Sequence, residues 1–383
     1  MKELMKLKST SKDLKKKLIL DGEKLFWHKD RVSAWLHGER IAPITIDMAL
    51  TRACTYNCYY CYSKLQYNDE KRMTMDVIYR FMDDAAEIGV KAISFVSDGE
   101  STVSKHLYDA ILRGKSNGLD MALGTNGYLL KDERLEEILP CLTYLRFNFS
   151  AGDPERYAEI MGCPASNYHK VVNTIKECVR IKKENALDVT LGLQMVLLPK
   201  DADQIIPLAK IGKELGVDYT VIKHCSDDED GSLGVNYEGY HGDYVINALK
   251  EAEGYSADNY LVKAKWSKIL SRAKLNYSKC YGTPFIFQIS GSGLVAPCGK
   301  LFNKKYKKHH IGNIVDTSLK EIWKSDIYWE KHNFLHSPHY DPRKMCANLC
   351  LQHKVNEKLF EIKEKNLQLP DMVGEPPMHV NFV

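Results

Sequence analysis

The chain has 383 residues, 44% hydrophobic and 27% charged, with 54 Lys and Arg against 50 Asp and Glu for a net charge of +4. This ordinary globular balance argues against a general polyanion binder such as a nucleic-acid protein, and no apolar run reaches the roughly 18–20 residues a membrane span needs. Eleven cysteines, behind an N-terminus without the apolar core of a secretory signal, suggest a cytoplasmic protein whose thiols serve metals or redox chemistry before cross-links.

Residues 1–41 read as a basic N-terminal extension, with seven lysines among the first 17. From 42 to 260, strand-like runs alternate with helical stretches. The strand candidates are "ITIDMAL" (44–50), "AISFV" (92–96), "MALG" (121–124), "YLRFNFS" (144–150), "VTLGLQMVLL" (189–198) and "YTVIK" (219–223). Amphipathic segments such as 75–89 and 168–184 lie between them. Alternation at this spacing implies βα units and a parallel sheet, and six units predict an α/β fold built on a partial (β/α)6 barrel of the TIM type. Functional groups then gather beyond the C-terminal strand ends. Near 275 the pattern changes. "FIFQISGSGLVAP" (285–297) predicts two short strands around a Gly-rich turn, followed by the basic "KLFNKKYKKHH" (300–310) and helical stretches at 318–332 and from Cys346 onward. A small α+β unit over 275–366 and an irregular tail over 367–383 complete the expected architecture. The lysine blocks and the acidic "DDED" (227–230) read as solvated surface, with docking of an acidic or phosphorylated partner as the sharper reading.

"CTYNCYYC" (54–61) falls just past the first strand. In a tight loop the spacing of Cys54, Cys58 and Cys61 lets three sulfurs approach one metal centre. Zinc would want a fourth ligand nearby, and no His or Cys recurs until His106. A cubane held by three thiolates keeps one iron open. From the residues alone, a disulfide, a zinc ion and an iron–sulfur cluster all remain open. Cys280, Cys298, Cys346 and Cys350 form a second set, enough to close one [4Fe–4S] cluster or one zinc site. Of the remaining thiols, Cys178 reads as core and Cys141 carries no signal, while Cys163 lies in the loop after the fourth strand. Cys225 follows the sixth strand. There it reads either as an inert thiol in a surface turn or as a hydrogen-atom donor to a substrate radical, with His224, Asp227 and Asp228 suited to gripping hydroxyl or ammonium groups.

The CxxxCxxC motif, with Tyr60 before its last cysteine and five more βα units behind it, resembles the radical S-adenosylmethionine (radical SAM) superfamily. The resemblance implies that Cys54, Cys58 and Cys61 bind a [4Fe–4S] cluster whose open iron chelates SAM, with Tyr60 beside the adenine. A one-electron reductant such as flavodoxin or ferredoxin would drive cleavage of SAM to methionine and a 5′-deoxyadenosyl radical. Where the family has Gly-Gly-Glu this chain reads "SDGES" (97–101), so Gly99 and Glu100 match and Asp98 departs. Asn126 in "TNG", and Asn148 and Ser150 at the fourth strand's end, stand where relatives contact SAM. Gly293 four residues ahead of Cys298, then "HIGNI" and "LKEIW", resemble the auxiliary-cluster module called twitch, related to the longer SPASM domain. A second [4Fe–4S] cluster on the four later cysteines would accept or relay an electron.

Relatives of this kind include dehydrogenases and epimerases of sugars and aminocyclitols. The expected substrate is therefore a hydroxylated small molecule, dehydrogenated or epimerised, with Cys225 as the catalytic hydrogen donor in the second case. The alternatives are a maturase acting on a ribosomal peptide and, from another class, a non-catalytic iron–sulfur or zinc scaffold. The first 40 residues are short for a leader-peptide-binding domain, and "HVNFV" replaces the Gly-Gly ending of molybdenum-cofactor cyclases.

Overall fold

The computed structural model describes residue 18 and residues 22–69, 71–271, 274–346 and 350–383. The lysine-rich start, residues 1–17, lies outside the described residues. One ten-stranded sheet has the order β10-β9-β8-β1-β2-β3-β4-β5-β6-β7. β1 (Thr45–Met48), β2 (Ala92–Phe95), β3 (Asp120–Thr125), β4 (Leu142–Asn148), β5 (Thr190–Leu197) and β6 (Tyr219–His224) fall on the six predicted runs. Each pairs in parallel with the next. Helices between them cover the outer face. Met75–Ile88, for example, begins where the Thr74 side chain accepts from the Val77 N–H and ends at Gly89, held at φ +95°.

Two pairings extend the barrel beyond the six expected units. β7 (Leu261–Ala264) runs parallel to β6, and β8 (Ile286–Ile289) runs parallel to β1. The result is eight parallel strands in an open barrel. β9 (Leu294–Ala296) turns back antiparallel on β8 through Gly293 at φ +79°, and β10 (Gly312–Asn313) joins its edge. The C-terminal unit therefore grows out of the same sheet as the barrel. Its predicted 318–332 helix is two, Leu319–Lys324 and Asp326–His336, broken at Ser325, whose extended backbone lets its hydroxyl cap the second at Tyr328 N.

The period of two along the strands sorts residues by face. Ile46, Met48, Leu145, Phe147 and Ile222 point outward into the main apolar core under the helices. The alternate positions, Asp47, Ser94, Arg146, Gln194 and Lys223, point inward. A complete TIM barrel fills this space with bulky apolar layers; here the upper layers are polar. The N-terminal end is closed by residues 376–383, irregular as expected but not loose. Thr45 Oγ1 donates to the Asn381 carbonyl at 2.7 Å, Asn381 Nδ2 donates to Asp120 at 2.8 Å, and Phe382 packs on Ala92, Ala122 and Tyr144. The barrel is thus plugged at the end opposite the cysteine loop. Among the described residues, no helix is long and apolar enough to cross a membrane.

Candidate functional site

The cysteine loop is gripped on both sides by backbone. A Cβ on Gly99 would stand 1.9 Å from the Thr51 carbonyl oxygen, and one on Gly291 would stand 2.2 Å from Thr51 C. These two glycines, from the loops after β2 and β8, form a slot through which Thr51–Arg52 passes on its way to Cys54. Asp98 fixes the slot. Its buried carboxylate accepts from Gly291 N (2.7 Å), Ser290 Oγ (2.6 Å) and Asn68 Nδ2 (3.3 Å), and Arg52 lies 3.4 Å away. The departure from the family's first glycine has a structural use: Asp98 bolts the barrel loop to the C-terminal unit.

The far side of the loop is zipped to the helix Pro154–Met161. Asn57 N donates to the Gly162 carbonyl at 3.2 Å and Tyr59 N to that of Ile160 at 3.4 Å. Gly162 ends this helix at φ +60°, where a Cβ would meet Asn57 O at 2.3 Å. The three thiols are neighbours: burial, then the charges of Cys61 and Cys54, push the Cys58 thiol well above its ordinary range. Burial raises Cys54 as well, with Cys61 a further cause. Thiols in this setting hold their protons until a cation displaces them, as ligand thiols must.

The expected SAM contacts have more structural occupations. Glu100 Oε1 accepts from Thr102 N (3.1 Å), Thr102 Oγ1 (2.8 Å) and Thr125 Oγ1 (2.8 Å), while Oε2 accepts from Asn126 N (2.8 Å). Its carboxylate thereby ties the loops after β2 and β3 together, with Oε2, which accepts one bond, left able to accept a further donor. Asn126 carries the linkage onward, donating from Nδ2 to Thr55 Oγ1 at 3.0 Å, with Cys54 Sγ 3.9 Å away. Ser150, expected at the SAM carboxylate or ribose, is fully buried; it bonds the Tyr60 hydroxyl at 3.0 Å and accepts from Val196 N at 3.4 Å. In this arrangement the Ser150 hydroxyl holds Tyr60 against the loop. Asn148 does reach the lumen face, where its Oδ1 accepts from Gln194 Nε2 at 2.9 Å.

Cys225 is brought directly to the cysteine loop. Its thiol donates toward the Tyr60 carbonyl at 3.6 Å and is 1% exposed. Burial, then Asp227, pushes it up to about 12, so it stays a neutral thiol. It packs against the loop. The acidic neighbours are not free to grip substrate either. Asp227 accepts from Asp228 N, Leu233 N and Val235 N, and Asp228 accepts from Asp230 N and Ser232, so both cap their own loop. His224 is buried with both ring nitrogens unpartnered.

The second cysteine set assembles too. Cys280, Cys298 and Cys346 share one small core with Leu294, Phe302 and Tyr340. Burial, followed by the charges of Cys350, Cys346 and Cys298, drives the Cys280 thiol far up, and burial puts Cys298 at about 12. Tyr340 bonds Cys346 Sγ at 3.1 Å, Asn356 Nδ2 donates to Cys280 Sγ at 3.4 Å and Gln352 N to Cys350 Sγ at 3.3 Å. Such bonds are what tune a cluster's potential. Among the described residues no three His, Cys, Asp or Glu side chains converge on a single ion. Within each set the thiols lie close enough for their charges to act on one another.

A short seam joins the two sets. Five residues past Cys61, Gln66 Nε2 donates to the Gly299 carbonyl at 2.8 Å, next to Cys298; Asn303 Nδ2 donates to Leu65 O at 2.8 Å and Lys304 N to Tyr67 O at 2.9 Å. The lysine block at 300–308 partly pairs within the chain. Lys300 lies 2.9 Å from Glu229 and Lys305 lies 3.2 Å from Asp230, so "DDED" and the basic block pin the loop after β6 to the C-terminal unit.

A model of the Radical SAM superfamily matches residues 48–210, and a model of the SPASM iron–sulfur cluster-binding domain matches residues 280–351. The chain carries a radical SAM domain followed by a SPASM domain. As a radical SAM–SPASM protein, it uses SAM and two [4Fe–4S] clusters. It is similar to the tungsten-containing aldehyde ferredoxin oxidoreductase cofactor-modifying protein of Pyrococcus furiosus, 23% identical over 73% of this chain and 81% of that one. It also resembles a GTP 3′,8-cyclase of Clostridium perfringens, 25% identical over 76% of this chain and 91% of that one. Streptococcus suis SuiB bound to S-adenosylmethionine superposes with a TM-score of 0.60 at 16% identity, over 80% of this chain and 72% of that one, a likeness of fold.

Sequence reasoning missed the charged lumen of this radical SAM protein. Asp47, Arg146 and Lys223 are single charges inside otherwise apolar strand runs. A charge in a strand buried on both faces needs a use, and that was the available signal.

Proposed function

We propose that this enzyme takes a hydrogen atom from a C–H bond of a small polar molecule held in the barrel lumen, and that Cys54, Cys58, Cys61 and the four later cysteines hold its two clusters. When bound, the reduced N-terminal cluster and SAM supply one-electron chemistry able to activate an unreactive C–H bond. The chain's own residues supply placement. The Gly99–Gly291 slot and the Asp98 bonds fix the loop's entry, Glu100 and Asn126 fix Cys54, and Ser150 holds Tyr60 against the loop. The observation that carries the reading is the polar lumen, lined by Asp47, Arg146, Gln194 and Lys223 where a complete TIM barrel has bulky apolar layers.

Of the two outcomes open to a substrate radical, loss of a proton and an electron is favoured over return of a hydrogen atom. Cys225 lies packed against Tyr60 with its thiol buried, and the Gln66–Gly299 seam offers the electron a short route to the second cluster. The relatives that align over three quarters of the chain carry names of enzymes acting on a cofactor or a nucleotide, which favours a small molecule. A peptide substrate is the second reading, since SuiB has also been crystallised with the precursor peptide SuiA. Anaerobic reduction with SAM tests the core of the proposal: 5′-deoxyadenosine should form, and its absence from protein carrying both clusters would overturn it. Product formed in deuterium oxide should carry no new solvent deuterium on carbon.

A further inference from the structure

Three charged side chains in the lumen have no part in holding the cysteine loop. Asp47 on β1, Arg146 on β4 and Lys223 on β6 all take the inward register, each flanked in sequence by outward core residues. The strands beside Arg146 make room for it: Gly124 and Gly192 pair with it on either side, and a Cβ on Gly124 would come within 3.3 Å of Arg146 Nη2. Arg146 Nε is buried without a hydrogen-bond partner, a condition native structures rarely leave unanswered. Asp47 is 8% exposed. Ser94, on the neighbouring strand, hydrogen-bonds the Asp47 carboxyl, and Arg146 and Lys223 act on it through charge. The three thus feel one another. Burial and then the nearby Arg146 charge depress Lys223 to about 7, and burial raises Asp47 to about 7 against the pull of Arg146.

With Lys223 lowered and Asp47 raised toward neutrality by burial, the half-buried Arg146 guanidinium, 5.7 Å from the Tyr144 ring centroid, keeps an Nε with no hydrogen-bond partner. An arriving anion would answer Arg146, favour the ammonium form of Lys223 and leave Asp47 to a donor on the same molecule. The position suits the reaction: Lys223 is close enough to Cys225 to affect its charge, and Cys225 touches the Tyr60 carbonyl in the cysteine loop.

We propose that the substrate carries a carboxylate or phosphate that binds between Arg146 and Lys223, with Asp47 accepting a hydrogen bond from a hydroxyl or amino group of the same molecule. This rests on the reading of the lumen as the substrate site, and it narrows the substrate to an anionic polar compound. Arg146 is suited to a bidentate grip on either oxyanion, and Lys223 acts as a point charge.

The test uses anaerobic holoprotein with SAM present, titrated calorimetrically with inorganic phosphate and, separately, with malonate. One of the two should saturate a single site, and which one distinguishes a phosphate ester from a carboxylate substrate. Arg146→Met and Lys223→Met should each weaken that binding about tenfold or more, while Lys176→Met, on an exposed helix face, should leave it unchanged. Arg146→Gln and Lys223→Gln, kept only where iron content and circular dichroism match the parent, guard against a folding defect. No saturable site for either anion, or equal binding in parent and lumen variants, overturns the proposal. 5′-Deoxyadenosine is measured in the same preparations. Its absence with anion binding intact would remove the reaction proposed above and leave this site standing, whereas its presence with binding unaffected by the variants would do the reverse.

Discussion

Replacing Gly99 by alanine strikes the cysteine loop without touching a cysteine. The new Cβ would lie 1.9 Å from the Thr51 carbonyl oxygen, and side-chain carbons essentially never come within 3.0 Å of such an atom. Something must move by about 1.1 Å, and the neighbour is backbone, not a flexible side-chain end. Thr51 cannot retreat freely, because Gly291 closes the other side of the slot with backbone at similar range. The displacement therefore passes along Ala53 to Cys54. A misplacement of about 1 Å in a catalytic arrangement costs roughly a hundredfold in rate. The assay is 5′-deoxyadenosine formation by anaerobically reconstituted Gly99→Ala protein, alongside iron content. We expect a loss of about 100-fold, with the second cluster's iron retained because none of its four cysteines touches the slot. A rate within threefold of the parent would refute the slot argument.

Other outcomes follow from the same geometry. Asp98→Ala would orphan the buried Gly291 N–H and strip partners from Ser290 and Asn68; at about 1–3 kcal/mol for a buried group left unpaired, a stability loss of about 3 kcal/mol is expected in urea titration, and less than 1 kcal/mol would contradict it. Asp47 has a folded-state carboxyl raised to about 7 by burial, so the folded chain keeps a proton that the unfolded chain has released, and this residue's contribution to stability falls as pH rises from about 4 through about 7. Asp47→Asn should then match the parent near pH 4 and exceed it at pH 8, by an upper limit of about 4 kcal/mol; a gap independent of pH would exclude the assignment. Cys280→Ala should lower iron content by about half while SAM-dependent changes at the other cluster persist, and full iron content would remove Cys280 from the ligand set.

The six strands of the half-barrel were legible because each is a mostly apolar run of strand length between helical periods. The first cysteine set stood out by its CxxxCxxC spacing, and the later four by their resemblance to an auxiliary-cluster module. β7 escaped notice because "LVKA" is four residues with a lysine inside, too short to show a period. The use of Asp98 was illegible for a different reason: its partners Ser290 and Gly291 lie almost two hundred residues away, and only the β8–β1 pairing brings them together. Glu100 and Ser150 stood at the expected positions, but what each side chain touches is set by the packing of three loops. Asp227 and Asp228 looked free in sequence because a loop that caps itself with carboxylates cannot be told from one that offers them to a ligand. The lumen charges were visible as anomalies within strands, although only the alternation of faces turns three anomalies into one site.

The central claim is that the cluster on Cys54, Cys58 and Cys61 keeps an iron open to SAM. Electron paramagnetic resonance of reduced protein in which Cys280, Cys298, Cys346 and Cys350 are all replaced by alanine isolates that cluster. Adding SAM should shift its g-values, as direct ligation of the open iron requires. A reduced-cluster spectrum identical with and without saturating SAM would contradict the account.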